Sequence, residues 1–568
     1  MQNHEIAKVL DEIADLLEIS GENFFRVRAY RNAARAIGDH PVQMSELDVE
    51  ELRKIAGIGA DLADKIQTCV ATGEIPLHRE LTTKVPAGLL DLTRIPGLGP
   101  KRIKALWQEL GVKNRDDLRR AAAAGALKSL PGMGAKLQER ILESLDQLEK
   151  EHPGRILLHD ATRIADALVA HMKKRSEVKQ LDVAGSFRRR RETVGDLDLL
   201  VVSTHPEAVM THFLEYPRVA EKLGAGPTKS SVVLTDGLQV DLRVVEPECY
   251  GAAILYFTGS KAHGVHLRKI AQSLKLLLNE YGLMRGEEPV AGKTEADVYR
   301  ALGLAWIAPE LREDRGEIEA AAKGRLPRLI TRDDLRGDLH THSTWTDGRA
   351  SIEDMAKSAQ QHRLEYFAVT DHSQRLKMAR GLDPKRLREQ WKEIEQVDAK
   401  IRGITLLRGI EVDILEDGAL DLPDDVLGEL DWVVASVHSR IDQDQKTMTR
   451  RLLKAIRNRS VNVIGHPSNR LIGRRPPSNF DLGEVLRVAR EEGCALEVNS
   501  QPDRLDLVDS SCIAAREAGV KLVISSDSHH PRDFDGLDYG IDQARRGWIE
   551  REQVLNTLPL EEFRRSLR

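Results

Sequence analysis

The sequence predicts a multidomain chain of mixed class, α+β in its front and middle and α/β at its end. Three observations predict it. A glycine-hydrophobic-glycine turn recurs three times in a helical front, an Asp-x-Asp pair sits in a strand-rich middle, and short apolar runs in the last part each end on a metal-type ligand, as the strands of a parallel βα barrel do. At 568 residues the chain is too long for one hydrophobic core. Lys plus Arg number 85 against 90 for Asp plus Glu, so any nucleic-acid binding must come from local patches. The opening MQNHEIAKVLDEIADLL is an acidic amphipathic helix pattern rather than an export signal, and no apolar run approaches the length of a bilayer span. Cys69, Cys249, Cys494 and Cys512 are too scattered for a disulfide framework, and a cytoplasmic setting without a membrane partner is expected.

The front carries IAGIGADLADKI around Gly57 and Gly59, IPGLGPKRIKAL around Gly97 and Gly99, and LPGMGAKLQERI around Gly132 and Gly134. Each turn opens an amphipathic helix and exposes backbone N–H groups where an anion such as a DNA phosphate fits. This is the helix-hairpin-helix pattern, which reads the DNA backbone rather than its bases. FRVRAYRNAARAI followed by GIGADLADKIQTCVATG resembles the N-terminal lyase domain of family X DNA polymerases. The resemblance implies that Lys65 is the amine that attacks an abasic sugar, although Asp61 stands where lyase-active relatives carry another lysine. The expected units are a lyase-like domain over 1–85 and a fingers-like domain with two further hairpins over 86–150.

In the middle, QLDVAGSFRRRRETVGDLDLLVVS reads as strand, turn, helix start and strand, and alternation puts Asp196 and Asp198 on one face. LQVDLRVV is a neighbouring strand that brings Asp241 beside them. Three clustered carboxylates repel unless cations bridge them, and hard Mg²⁺ prefers a few carboxylates completed by phosphate oxygens and water. Gly185 and Ser186 suit a phosphate cradle. Gly-Ser, a basic run and Gly-Asp-x-Asp resemble the nucleotidyltransferase signature, and the arginines at 188–190 with VDLR at 240–243 narrow it to family X. By that resemblance Arg189 reaches the triphosphate, Gly195 lies close to it, and YFTGS places Tyr256, Phe257, Gly259 and Ser260 beside the incoming nucleotide. Arg268 matches a thumb position near the template, whereas Lys261 and His263 differ from the animal members. A nucleotidyltransferase palm over 151–250 and a thumb over 251–315 follow, with a charged connector over 316–335.

From 336 to 568 the runs EYFAVTDHS, TLLRGIEVDI, DWVVASVHSR, NVIGHPS, CALEVNS and KLVISSDSHH alternate with helical stretches, and almost every one carries its candidate ligand at its C-terminal end, the face where βα barrels place their chemistry. Imidazoles and carboxylates in this mix suit Zn²⁺, Mn²⁺ or Fe²⁺. DLHTHSTWTDG, GIEVD, VHS, GHP and SDSH resemble the polymerase and histidinol phosphatase (PHP) superfamily, whose fold is a distorted (β/α)7 barrel. The resemblance implies one ion on His340, His342, Glu411 and Asp527, a second on Asp347, His372 and His529, and a third on His438 and His466 with Glu411. His362 and His530 read as bystanders, and Arg474 with Arg475 as a phosphate contact or a solvated loop.

Together these features resemble bacterial-type family X DNA polymerases with a C-terminal PHP domain. That implies filling of short gaps in DNA repair with Mg²⁺ or Mn²⁺ at the polymerase centre. It also implies 3′–5′ exonuclease or 3′-end processing, in some relatives cutting at abasic sites, with up to three Mn²⁺ or Zn²⁺ ions in the barrel. The implied partners are gapped or nicked DNA and deoxynucleoside triphosphates, and the implied state is a monomer in the bacterial cytosol. Two rival readings are a barrel that hydrolyses a small phosphate monoester and a DNA-binding scaffold with an idle polymerase centre.

Overall fold

A computed structural model describes residues 3–38, 44, 47–55, 57–72, 75–86, 89, 92, 95, 98–130, 133–134, 137–138, 141–142 and 155–567. The chain divides into two compact units, Met1–Pro153 and Gly154–Arg568. Among the described residues no helix is long and apolar enough to cross a membrane.

The first unit is helical. Helices Asn3–Ser20, Phe24–Gly38, Ala60–Thr72, Pro76–Lys84, Pro100–Leu110 and Arg115–Ala123 turn apolar stripes inward onto a core that includes Leu10, Leu17, Ile66, Leu81, Ile103 and Leu118. Ile58, Leu98 and Met133, the middle residue of each glycine-hydrophobic-glycine turn, are buried in that core, which anchors the turns from below. Gly57 holds φ at +94°, a backbone conformation that side chains rarely adopt. Gly97 and Gly132 lie outside the described residues; Gly59, Gly99 and Gly134 lie within them.

In the second unit a five-stranded mixed sheet places the strand Asp196–Val202 between Gln180–Val183 and Gln239–Val245. Asp196–Val202 runs parallel to Gln239–Val245, and Asp198 pairs with Asp241 across them. Helices Leu158–Met172 and Pro206–Leu214 cover its apolar face. Helices Tyr250–Thr258 and Lys261–Ser273, with a small three-stranded sheet, form the next lobe.

The expected connector over 316–335 is ordered structure. Helix Glu317–Ala322 buries Ile318 and Ala321, and the Glu317 carboxylate accepts from the backbone N–H of Asp314 and of Arg315 and meets His263 Nδ1 at 2.6 Å. Tyr299 O–H meets the other ring nitrogen of His263 at 2.8 Å. His263 therefore ties this helix to the lobe before it.

Seven parallel strands then follow in chain order, Gly337–Asp338, Tyr366–Val369, Thr405–Asp413, Trp432–Ser436, Val463–Ile464, Ala495–Asn499 and Leu522–Ser525. Their residues are almost all buried, as expected for strands covered on both faces. The ring closes through a bridge between Thr341 and Ser528, with the His342 N–H donating to the Ser528 carbonyl over 2.8 Å. Ion pairs between Arg470 and Glu192 (2.7 Å) and between Arg545 and Glu310 (2.7 Å) join the barrel to the lobes before it.

Candidate functional site

The first candidate site is a cavity of about 490 Å³ lined by Gly185, Ser186, Arg189, Asp196, Asp198, Tyr256, Phe257, Gly259, Ser260 and Arg268 among others. Strand register supplies its carboxylates: Asp196 and Asp198 are two apart on one strand, and Asp241 is the partner of Asp198 on the next. Burial, followed by repulsion from Asp196 and Asp241, pushes the Asp198 carboxyl up to about 7. Such a cluster of like charges would be relieved by a cation. Gly185 holds φ at +66°, and a Cβ there would lie 2.4 Å from Asp198 Oδ2. The Ser186 hydroxyl is buried without a partner. Arg189 hangs between the Glu313 carboxylate, 3.1 Å from its Nε, and the Thr258 carbonyl, 2.5 Å from Nη1. Phe257 stacks under the Arg243 guanidinium at 4.4 Å, which fixes the aromatic wall beside the carboxylates. Gly195 and Asp241 are not among the lining residues.

The second site sits inside the C-terminal mouth of the barrel, and Glu411 is its centre. Its two oxygens, in a side chain 1% exposed, meet His372 Nδ1 at 2.6 Å, His466 Nε2 at 3.0 Å, His438 Nε2 at 3.2 Å, His340 Nε2 at 3.5 Å and His342 Nε2 at 3.7 Å. Asp527 lies 3.2 Å from His342 Nε2, and Asp347 lies 3.4 Å from His372 Nε2 and 3.5 Å from His529 Nε2. Ligand-type atoms converge in three overlapping groups: His342, Asp347, His372 and His529; His340, His342 and Asp527; and His372, Glu411 and His438. His342 belongs to two of these, the Asp347 group as well as the one with His340 and Asp527 that the resemblance implied. His466 joins the third through Glu411.

Burial opposes ionisation of Glu411, yet His438, His372 and His340 outweigh it and hold the carboxyl well below its ordinary range. Burial likewise opposes charge on His438, which Glu411 and Asp413 nonetheless raise to about 10. His342 is driven down to about 3 by burial and by the neighbouring His529 and His372. Among the described residues, both ring nitrogens of His342, Nε2 of His340 and Nδ1 of His466 are buried without a hydrogen-bond partner. A buried polar atom left unpaired costs about 1–3 kcal/mol, and this donor set fits transition-metal ions, which would engage these atoms. His466 and Asp527 sit at φ +27° and +53°, strained for residues with side chains, and each follows the end of a strand.

A supporting layer escaped the motif reading. Glu497, 1% exposed, meets His340 Nδ1 at 2.7 Å and accepts from the His466 N–H at 2.6 Å. Asn499 donates to Asp527 Oδ2 over 3.0 Å, and the buried Asp371 accepts from Ser343 and Gln390. Glu497 thereby fixes the tautomer of the His340 ring and Asn499 the rotamer of Asp527, while Asp371 holds the segment that follows His342. Their signal was in the sequence: Glu497 and Asn499 are polar residues inside the apolar run CALEVNS. Arg155, which lines the cleft, stands in no motif.

Other expected residues are engaged elsewhere. His362 bonds Asp535 and the Ser358 carbonyl, Arg474 pairs with Asp503 at 2.8 Å, and Arg475 donates to the Asn469 carbonyl. His530 lines the cleft over the barrel centre. In the helical unit Lys65 Nζ lies 2.5 Å from Asp61. Although burial works against the charge, Asp61 and Tyr30 raise the Lys65 ammonium above its ordinary range, the opposite of what an amine nucleophile needs.

Residues 1–75 match the helix-hairpin-helix domain, 89–147 a SAM-like helix-hairpin-helix tandem, 253–313 the DNA polymerase beta thumb and 338–501 the PHP domain. The chain is 38% identical over 572 residues, all of both chains, to the DNA polymerase/3′-5′ exonuclease PolX of Bacillus subtilis (strain 168). It is 31% identical over 232 residues to a probable phosphatase of Thermoanaerobacter sp. (strain X514), covering 39% of this chain and 89% of that one. A probable phosphatase of Vibrio campbellii is 29% identical over 236 residues, 39% of this chain and 88% of its own.

Proposed function

The chain belongs to the family X DNA polymerases that carry a C-terminal PHP domain, and we propose that it fills short gaps in DNA at its cleft and removes or trims 3′ nucleotides in its barrel. The observation that carries the polymerase half is the register pairing of Asp198 with Asp241 beside Asp196, at a cavity walled by the YFTGS segment.

In this reading Asp196, Asp198 and Asp241 hold Mg²⁺ or Mn²⁺, which supplies neutralisation of the triphosphate and activation of the primer 3′ oxygen. Gly185 and Ser186 receive phosphate oxygens through backbone N–H groups and a hydroxyl, Arg189 adds a fixed positive charge, and Gly195 leaves room beside them. Tyr256 and Phe257 flank the sugar and crowd a 2′-hydroxyl, Gly259 and Ser260 close the pocket, and Arg268 faces the template. The glycine turns of the first unit grip DNA phosphates. The palm, thumb and barrel take residues 151–250, 251–315 and 336–568.

In the barrel His340, His342, Asp347, His372, Glu411, His438, His466, Asp527 and His529 hold up to three Mn²⁺ or Zn²⁺ ions, which activate water and neutralise a phosphodiester. Glu497 and Asn499 keep His340 and Asp527 in their binding orientation. Arg349, Arg504 and Arg532 line the cleft above and supply positive charge toward a DNA strand. The pairing of Lys65 with Asp61 disfavours Schiff-base chemistry in the first unit.

A 5′-labelled primer in a one-nucleotide gap, with divalent metal and with or without dNTPs, tests both halves. Wild type should lengthen the primer with dNTPs and shorten it without them. A second reading, hydrolysis of a small phosphate monoester by the barrel, is favoured by the two probable phosphatases. Turnover of histidinol phosphate faster than of a DNA 3′ end would establish it in place of 3′ shortening.

A further inference from the structure

Arg546 closes the barrel helix Leu537–Arg546, yet its guanidinium, 2% exposed, is spent on the polymerase lobe. Nη1 donates to the backbone carbonyl of Arg189 over 2.7 Å and to Glu313 Oε1 over 3.1 Å. Nη2 donates to Asp509 Oδ2 over 2.6 Å, and Arg315 reaches the same oxygen at 3.2 Å. Glu313 Oε1 is also the atom that holds Arg189 Nε, and Arg191 approaches it at 3.8 Å. Four arginines thus share two carboxylates, and one carboxylate oxygen is divided between the cleft arginine and the barrel arginine.

That division has a consequence for the cleft. A carboxylate serving one arginine alone would draw its guanidinium into a tight pair, whereas one shared with Arg546 holds Arg189 less closely and leaves net positive charge at the cavity wall. The bond to the Arg189 carbonyl fixes the same residue from its backbone side. We propose that Arg546, a residue of the exonuclease barrel, is a positioning residue for the polymerase reaction, holding Arg189 at the angle and charge at which it receives the incoming triphosphate. The proposal rests on the assignment of Arg189 to the triphosphate.

The test uses the full chain with Mg²⁺ on a one-nucleotide gap, measuring KM for dNTP and kcat, with metal-dependent 3′ shortening on the same preparations as a check on the barrel. Arg546→Met should raise KM about tenfold and change kcat by less than about threefold, with shortening unchanged. Arg546→Lys should fall between Met and wild type, because one ammonium cannot span Glu313, Asp509 and the carbonyl together. An unchanged KM in an Arg546→Met protein that still shortens primers overturns the proposal. Should that variant lose both activities, Asp509→Asn decides, since it frees Arg546 of its anchor and touches nothing that lines the cleft. It should raise KM about threefold, and an unchanged KM overturns the proposal. Arg189→Ala separates the premise from the inference: KM unmoved by that change removes the assignment of Arg189 itself, while KM raised by Arg189→Ala and unmoved by Arg546→Met removes the role of Arg546 alone.

Discussion

In the cleft, Asp198 and Asp241 meet because two neighbouring strands run side by side in register. In the barrel, His340, His342 and Asp527 meet because strand ends far apart in sequence converge on one mouth, and Glu497 behind His340 and Asn499 behind Asp527 hold them there. The cleft carboxylates have no histidine among them and repel one another. The barrel carboxylates are enclosed by imidazoles whose charge balances theirs. A site made by register is cheap in sequence and leaves selectivity to its walls; a site made by convergence needs nearly every loop of a fold, and in exchange is assembled before the substrate arrives.

The largest expected effect is a clean separation of the two activities. Asp198→Ala should lower primer extension by at least about 10³-fold, roughly 4 kcal/mol of transition-state stabilisation, and leave metal-dependent shortening intact, with His342→Ala doing the reverse. Loss of both activities from either change would mean the two centres share a step and would break the contrast. Next in size is Glu411→Gln in metal-stripped protein. It removes the charge around which His438, His372 and His340 are arranged, and should cost about 3–5 kcal/mol of barrel stability, read as a lowered thermal midpoint of the second unit. The Glu411 carboxyl is held below its ordinary value in the folded state, so this stability is present above about pH 4.5 and is lost as pH falls further.

Both motif sets were legible in the sequence because metal-type ligands cannot be scattered and still function: the Gly-Asp-x-Asp strand and the ligands at the ends of the apolar runs carry their chemistry in residue type and spacing. The same runs pointed to a parallel barrel, and its seven strands followed from the PHP resemblance. What the residues alone did not give was partnership. His263 lies inside the nucleotide-pocket stretch, yet folding buries it against Glu317 and Tyr299. Lys65 sits at the lyase position, yet Asp61, one helical turn earlier, pairs with it. Glu497 belongs to no ligand motif, and its polarity inside an apolar strand does not say which ring it holds. Glu497→Gln should therefore lower metal affinity or shortening activity about 10–100-fold and spare extension, measured by metal titration and by the gap assay on one preparation. A change under about twofold would reduce Glu497 to a buried packing residue.

The smallest expected effect reverses the sign of the Glu411 one and sharpens the contrast most. Asp198 is raised to about 7 by burial and by two like charges, so folding disfavours its ionised form. Relative to an unfolded value near 3.8, that is a cost absent below about pH 4, growing as pH rises, and complete above about pH 7. The full shift corresponds to about 4 kcal/mol, and the openness of the cleft to water brings the expectation to about 2 kcal/mol. Asp198→Asn should accordingly stabilise the chelator-treated protein at pH 8 by about 2 kcal/mol and at pH 4 by almost nothing. Added Mg²⁺ should erase the gain, because the wild-type carboxylates then have their cation and the variant has lost a ligand. A cleft that gains stability on losing its carboxylate while the barrel loses stability on losing its own would show that the same residue type does opposite work in the two centres. Equal losses in both would mean that Arg189 and Arg243 already balance the cleft in the absence of metal.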